Sequence, residues 1–206
     1  MPDTTEPLRI AKAVSELQLD YVIITSVTRD DLADGGASCF ARTVMQIKEM
    51  SPECGIELLI PDLQGDMEAL RTIVLLPINV LAHNLETVPS LYPVVRPGAN
   101  YWRSLRLLER AKTWSKNRFL TKSGIMLGLG ETQDAVLKTM IDLREIQCDS
   151  ITLGQYLQPS SRQLPVERYL KPHEFEFLKR EALRMGFNHF ESGPFVRSSY
   201  RAANMR

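Results

Sequence analysis

Polar side chains that can bind a small molecule follow several apolar runs of this sequence. Asn84 and Glu86 come directly after the third run, Thr25 and Ser26 after the first, and Gln155 after the fifth. The amide and carboxylate of Asn84 and Glu86 together suit hydroxyl and ammonium groups, since an amide donates and accepts hydrogen bonds while a carboxylate accepts them. We therefore predict a ligand-binding or catalytic site where these runs end.

Lys122 stands near the middle of an otherwise apolar run and, with Glu86, is a catalytic candidate. A desolvated lysine can act as a Schiff-base nucleophile, because burial lowers the pKa of its amine. That role would give an aldolase-like enzyme. The same side chain can equally form an ion pair with a carboxylate such as Glu86 or Glu131. The sequence leaves both roles open.

Gly124, Gly128 and Gly130 precede Glu131 in a stretch that only loosely resembles a phosphate-binding loop. It lacks the Gly-x-Gly-x-x-Gly spacing, and no Lys-Ser or Lys-Thr follows as in a P-loop. Two interpretations stay open: a flexible turn that enters a helix, or a loop that lets an adenine or ribose approach the backbone.

His83 follows apolar residues, which favours a hydrogen-bonded core histidine over a metal ligand.

The three cysteines, Cys39, Cys54 and Cys148, lie 15 and 94 positions apart. Neither separation is typical of zinc or iron–sulfur ligands, so we expect ordinary reduced thiols.

The chain has 206 residues, with 25 Lys and Arg against 25 Asp and Glu. This zero balance argues against nucleic-acid binding by bulk charge, and no apolar run is long enough to span a membrane. No targeting segment is visible, so a cytoplasmic location is expected, or a mitochondrial or plastid one if a leader precedes Met1.

Apolar periodicity predicts strands that alternate with helices, the pattern of parallel strands joined by right-handed crossovers. The predicted strands begin near positions 21, 56, 79, 119, 150 and 188, with helices at 7–17, 36–50, 66–75, 102–114, 132–146 and 172–185. Thr132 is expected to be an N-cap, and Gly186 to end its helix. Because polar groups gather at the carboxyl ends of the strands, we favour a barrel-like arrangement with its site at that edge.

Seven blocks of the sequence, taken in order, resemble lipoyl synthase. They are 21–36 (YVIITSVTRDDLADGG), 59–66 (LIPDLQGD), 83–89 (HNLETVP), 95–101 (VRPGANY), 121–131 (TKSGIMLGLGE), 154–160 (GQYLQPS) and 192–200 (SGPFVRSSY). The resemblance implies an α/β fold, namely a partial (β/α)6 TIM-like barrel of the radical S-adenosylmethionine (SAM) type that lacks its first strand. It also implies a single domain over 1–206, equivalent to the C-terminal two-thirds of a lipoyl synthase.

The resemblance further implies insertion of sulfur at C6 and C8 of a protein-bound octanoyl chain. The family uses SAM and two 4Fe–4S clusters, one held by Cys-x3-Cys-x2-Cys and one by Cys-x4-Cys-x5-Cys with a serine. Both cysteine motifs would precede Met1, so this stretch is expected to be inactive by itself. The alternative is a non-catalytic truncated paralogue that binds SAM or a lipoyl carrier protein.

Matching the motifs residue by residue assigns Ser199 of Arg-Ser-Ser-Tyr as the auxiliary-cluster ligand, ahead of Ser198. It places Asn84 and Gln155 at the ribose or carboxylate of SAM and Glu86 at its ammonium. The residues expected to line the mouth are Thr25, Ser26, Asn84, Glu86, Lys122 and Gln155. The implied partners are octanoylated lipoyl domains or a carrier protein (H protein, E2 subunits) and an electron donor such as ferredoxin or flavodoxin, without nucleic acid or membrane.

Overall fold

Six parallel strands form one sheet within residues 3–205, the part of the chain that the computed structural model describes. Their order in the sheet is their order in the sequence, so every strand pairs with the strands before and after it. The strands are β1 (Tyr21–Thr25), β2 (Gly55–Leu59), β3 (Val80–Ala82), β4 (Leu120–Leu127), β5 (Ser150–Gln155) and β6 (His189–Gly193). Strand number, direction and order confirm the predicted partial barrel, and the sheet is open rather than closed.

Helices connect successive strands, as expected for crossovers between parallel neighbours. They are α1 (Glu6–Glu16), α2 (Ala37–Met50), α3 (Met67–Val74), α4 (Tyr92–Val95), α5 (Tyr101–Ser115), α6 (Gln133–Glu145) and α7 (Pro172–Arg184). The hydroxyl of Thr132 accepts a hydrogen bond from the Ala135 N–H and caps α6, as predicted. Gly186 follows α7 with a φ of +83°, a conformation that favours glycine at a helix end. The short helix α4 was not predicted.

The two faces of the sheet differ in chemistry, because successive side chains of a strand point to opposite sides. On one face, alternate residues such as Ile56, Leu58 and Leu81 are fully buried in the apolar core with the helices. The opposite face, called the inner face below, carries the positions in between, among them Glu57 and Lys122. None of the helices in residues 3–205 is both long and apolar enough to cross a bilayer.

Candidate functional site

A cavity of about 170 Å³ lies at the carboxyl ends of β1, β2 and β3. Four of the predicted residues, Thr25, Ser26, Asn84 and Glu86, line it together with Arg96. They come from separate loops, and they meet because the carboxyl ends of parallel strands share one edge of the sheet. We call this space the mouth cavity.

The backbone holds Glu86 in a fixed but unfavourable conformation. Its φ is +65°, in the left-handed region that residues with a side chain seldom adopt. Its N–H donates to the Gly124 carbonyl at 2.9 Å, and its carbonyl accepts from the Met126 N–H at 2.8 Å. Two hydrogen bonds to β4, of the kind that join strands, therefore hold Glu86 in this strained conformation. Such strain is typical of residues held in place for binding or catalysis.

The Asn84 side chain links the mouth cavity to Glu86 and leaves one atom unpaired. The Asn84 side chain interacts with the Glu86 carboxylate and lowers its pKa. Asn84 Oδ1 is buried without a hydrogen-bond partner among the described residues. A buried acceptor without a partner costs free energy, so a ligand that donates a hydrogen bond there gains affinity.

Gly124 provides the space beside this amide. A Cβ at position 124 would lie 2.9 Å from Asn84 Oδ1 and 2.9 Å from Thr152 Oγ1, which is closer than carbon atoms normally approach. Glycine at 124 thus lets two polar atoms of the inner face converge on one spot.

Burial dominates the electrostatics of Glu86. Desolvation raises the pKa of its carboxyl above the usual value, and the Asn84 hydrogen bond and the nearby positive charge of Arg96 oppose that shift. A cation bound in the mouth cavity would stabilise the ionised form further, since an opposite charge favours it.

Arg96 is a site residue that the sequence pattern did not predict. Its Nη1 donates to the carbonyls of Asn84 at 3.2 Å and Leu85 at 3.4 Å, and to the Tyr92 hydroxyl at 3.2 Å. Its guanidinium also lies 5.4 Å from the centre of the Tyr92 ring. The block 95–101 was the available signal, but Arg96 reaches the cavity only because α4 folds it back over the loop after β3.

Lys122 occupies a different place from the one the sequence suggested. Its Nζ lies 2.9 and 3.1 Å from the two carboxylate oxygens of Glu57, and the side chains are 1% and 0% exposed. The Tyr21 hydroxyl donates to the same carboxylate at 3.2 Å. The partner is therefore Glu57 rather than Glu86 or Glu131, and this geometry favours the ion-pair role over a Schiff base. We call this contact the floor ion pair, because it lies on the inner face below the mouth cavity.

Gln155 lies on the face opposite to the one expected. Its Oε1 accepts from the Leu170 N–H at 3.0 Å, and its Nε2 donates to the Arg168 carbonyl at 3.1 Å. The side chain thus fixes the segment that follows β5 and does not line the mouth cavity. The expectation was wrong because Gln155 follows the inner-facing Gly154 and alternation turns its side chain away.

In the glycine-rich stretch 124–131, the side chain of Glu131 binds backbone amides of the same stretch. The Glu131 carboxylate accepts from the N–H groups of Gly128 at 2.6 Å and Leu129 at 2.9 Å. Because the Glu131 carboxylate occupies these two amides, they are not available to a ligand phosphate. The approach of an adenine or ribose to this stretch stays a prediction.

The C-terminal tail folds back to the carboxyl end of the sheet. Val196 and Ala202 are buried, while Ser199 between them is exposed in a turn closed by the Tyr200 N–H and the Arg197 carbonyl at 2.9 Å. Ser199 does not line the mouth cavity, and its predicted role as a metal ligand stays a prediction.

His83 is a core histidine, as predicted. Nδ1 lies 2.9 Å from the Ile60 carbonyl and Nε2 lies 2.9 Å from the Ser104 hydroxyl. Burial lowers the pKa of the imidazole to about 4. Both ring nitrogens are therefore engaged within the protein.

The cysteines do not form a cluster site. Cys54 and Cys148 are buried and Cys39 is half-buried on α2. Across residues 3–205, no group of three or more His, Cys, Asp or Glu side chains is placed to hold a metal ion. The described residues therefore do not fit an iron–sulfur cluster by themselves.

Comparison with known proteins adds family information to this geometry. The model of the Radical SAM superfamily matches residues 1–143. A lipoyl synthase of Trichlorobacter lovleyi is 55% identical over 203 residues, which cover 98% of this chain and 72% of the relative. A lipoyl synthase of Proteus mirabilis is 52% identical over 202 residues, covering 98% of this chain and 63% of the relative. The chain thus spans between 63% and 72% of the length of these relatives.

Solved structures support the fold. The crystal structure of Streptococcus suis SuiB bound to S-adenosylmethionine superposes with a TM-score of 0.71 and 9% identity, covering 92% of this chain and 43% of SuiB. At this identity the likeness concerns the fold alone.

Proposed function

The chain belongs to the lipoyl synthase family within the radical SAM superfamily, and on this basis we propose that it forms the SAM- and substrate-binding body of a sulfur-inserting enzyme. The reaction proposed is the insertion of sulfur at C6 and C8 of a protein-bound octanoyl chain, a step of lipoate biosynthesis. The observation that carries the proposal is the mouth cavity, which Glu86, with its backbone anchored to β4, lines together with Asn84 and Arg96.

The charged and polar groups of SAM match these residues one by one. The Glu86 carboxylate would hold the SAM ammonium, because an ammonium offers donors and a positive charge. The orphan Asn84 Oδ1 accepts only, so it suits a ribose hydroxyl and not a carboxylate. Arg96 would then bind the SAM carboxylate, with Thr25 and Ser26 at the rim of the cavity. When bound, SAM supplies the radical chemistry that removes hydrogen from an unactivated carbon.

Lys122 contributes to this site indirectly. It lies outside the mouth cavity and pairs with Glu57, so its proposed part is to fix the inner face beneath the bound molecule. Gln155 acts in the same indirect way, because it anchors the chain after β5.

The family also uses 4Fe–4S clusters, but the described residues do not supply a ligand set for one. By resemblance, the exposed hydroxyl of Ser199 on the docked tail is proposed as one ligand of the auxiliary cluster. Octanoylated lipoyl domains or a carrier protein are the proposed substrates, with a small electron-transfer protein as reductant.

A chimera tests the proposal. The part of the Trichlorobacter lovleyi relative that this chain does not match is fused to the complete chain, and clusters are reconstituted anaerobically. The chimera is then mixed with an octanoylated lipoyl domain, SAM and dithionite. Mass spectrometry should detect the lipoyl group, and the matched Glu86→Gln chimera should produce much less of it. A chimera that carries clusters and binds SAM but forms no lipoyl group would contradict the proposal and favour the binding-only alternative.

A further inference from the structure

The backbone of the tail lies close to the sheet at Gly154, near the carboxyl end of β5. A Cβ at this position would overlap the Val196 carbonyl oxygen, and would lie 3.1 Å from the Val196 carbonyl carbon and 3.2 Å from Arg197 Nη1. The backbone of the tail thus rests on the backbone of β5, an approach that any side chain at 154 would prevent.

A second glycine extends this surface. Gly193, the last residue of β6, is the register partner of Gly154. A Cβ at Gly193 would meet only Val196 Cγ2, at 3.5 Å, which is an ordinary van der Waals distance. The two glycines are adjacent and face the same residue, but only Gly154 lacks room for a methyl group.

The tail beyond this contact is held by short turns. The Val196 N–H donates to the Gly193 carbonyl at 3.1 Å, and Arg197 Nη1 donates to the Val196 carbonyl at 2.7 Å. Val196 is 6% exposed and Ala202 is 4% exposed, whereas Ser199 between them is exposed. The position of Ser199 therefore depends on how Val196 is seated.

We propose that Gly154 is a positioning residue whose missing side chain seats Val196 and so holds Arg197 and Ser199 at the carboxyl edge of the sheet. Gly154 acts through the tail and touches no reacting group. The importance of holding Ser199 there rests on the proposed function, but the seating itself does not.

The experiment measures the tail directly in the full chain. Ser199→Cys is combined with Cys39→Ser, so that a nitroxide label reacts at one accessible thiol, since Cys54 and Cys148 are 3% and 0% exposed. Gly154→Ala should increase the rotational mobility of the label at least threefold. It should also speed hydrogen exchange of the Val196, Tyr200 and Ala202 amides by roughly tenfold or more, because a released tail exposes them.

The matched control is Gly193→Ala, which adds the same methyl group on the neighbouring strand. It should leave label mobility and tail exchange within about twofold of the parent, since the added atom has room. A purely structural effect of Gly154→Ala would instead raise exchange in the strands and lower the melting temperature without singling out the tail.

A second variant covers the case in which Gly154→Ala does not fold. Val196→Ala leaves β5 untouched but removes most of the buried side chain, and it should loosen the tail in the same direction. The proposal is overturned if Gly154→Ala leaves the mobility of the label unchanged, if Gly193→Ala loosens the tail equally, or if Val196→Ala leaves tail exchange unchanged. None of these readouts involves SAM or sulfur insertion, so their failure leaves the proposed function standing.

Discussion

The floor ion pair and the mouth cavity lie on the same inner face and are both polar, but they differ in how fully their groups are paired. At the floor, the Lys122 ammonium contacts both oxygens of Glu57, and Tyr21 donates to the same carboxylate. In the mouth cavity, the Asn84 oxygen has no partner within residues 3–205. Internal pairing makes the floor a structural element, whereas incomplete pairing leaves the mouth ready for a ligand.

The floor and the mouth meet at two neighbouring positions of β4. Lys122 and Gly124 are consecutive inner-face residues of this strand. Lys122 fills the space above the sheet with a long charged side chain, whereas Gly124 leaves that space open. If pairing divides stability from binding in this way, substitutions at the floor should change stability and substitutions at the mouth should change ligand affinity.

The largest expected effect is at the floor. Lys122→Met leaves Glu57 as a buried carboxylate without its cation, which should reduce the free energy of unfolding by about 3–5 kcal/mol. Urea denaturation followed by circular dichroism measures this loss. The double variant Lys122→Met, Glu57→Leu should recover most of the stability, because both buried charges are then absent. A single variant within 1 kcal/mol of the parent would show that the floor is not a stabilising element.

The sequence predicted the mouth better than the floor. Thr25, Ser26, Asn84 and Glu86 converge as expected, because the carboxyl ends of parallel strands must meet at one edge. Glu57 was missed as the partner of Lys122, since the two are 65 positions apart and meet because β2 and β4 both pair with β3.

The direction of side chains also limited what the sequence could predict. The fifth strand was predicted to end at Gly154, whereas β5 extends to Gln155. Successive residues of a strand point to opposite faces, so this one added residue decides the direction of the Gln155 side chain. Arg96 reaches the mouth through α4, a helix too short to give a periodic signal.

His83 tests the comparison within the mouth cavity itself, because it is one of the lining residues yet both of its ring nitrogens are paired. Its pKa falls from an ordinary value of 6.5 to about 4 on folding, so the unfolded chain binds the proton more readily. Stability is therefore lost as the pH falls from 6.5 towards 4, by up to about 3 kcal/mol from this group.

Urea denaturation at several pH values measures this contribution as a difference in slope. His83→Asn should flatten the fall in stability below pH 6.5, whereas His173→Asn, at an exposed position of α7, should not. Equal slopes for the parent and His83→Asn would mean that the buried imidazole does not govern this pH dependence.

The smallest expected effect is at Glu86, where binding should change and stability should not decrease. If Glu86 holds the SAM ammonium, Glu86→Gln should weaken SAM binding by roughly 10- to 100-fold, since a hydrogen bond to a charged group contributes about 1.5–3 kcal/mol. Isothermal titration calorimetry at pH 7.5 measures the loss. Because burial raises the pKa of Glu86, its ionised form is disfavoured in the folded chain, so the neutral amide should not lower the melting temperature.

The affinity for SAM should also depend on pH through the charge of Glu86. Protonation removes the charge that attracts an ammonium, so SAM affinity of the parent should fall as the pH drops, starting at a higher pH than an ordinary carboxyl would require. Glu86→Gln should show no such fall. The matched control is Glu131→Gln, whose carboxylate already binds the Gly128 and Leu129 amides and should not affect SAM affinity. If Glu86→Gln binds SAM as tightly as the parent, then incomplete pairing in the mouth does not mark the ligand site, and the contrast with the floor loses its functional meaning.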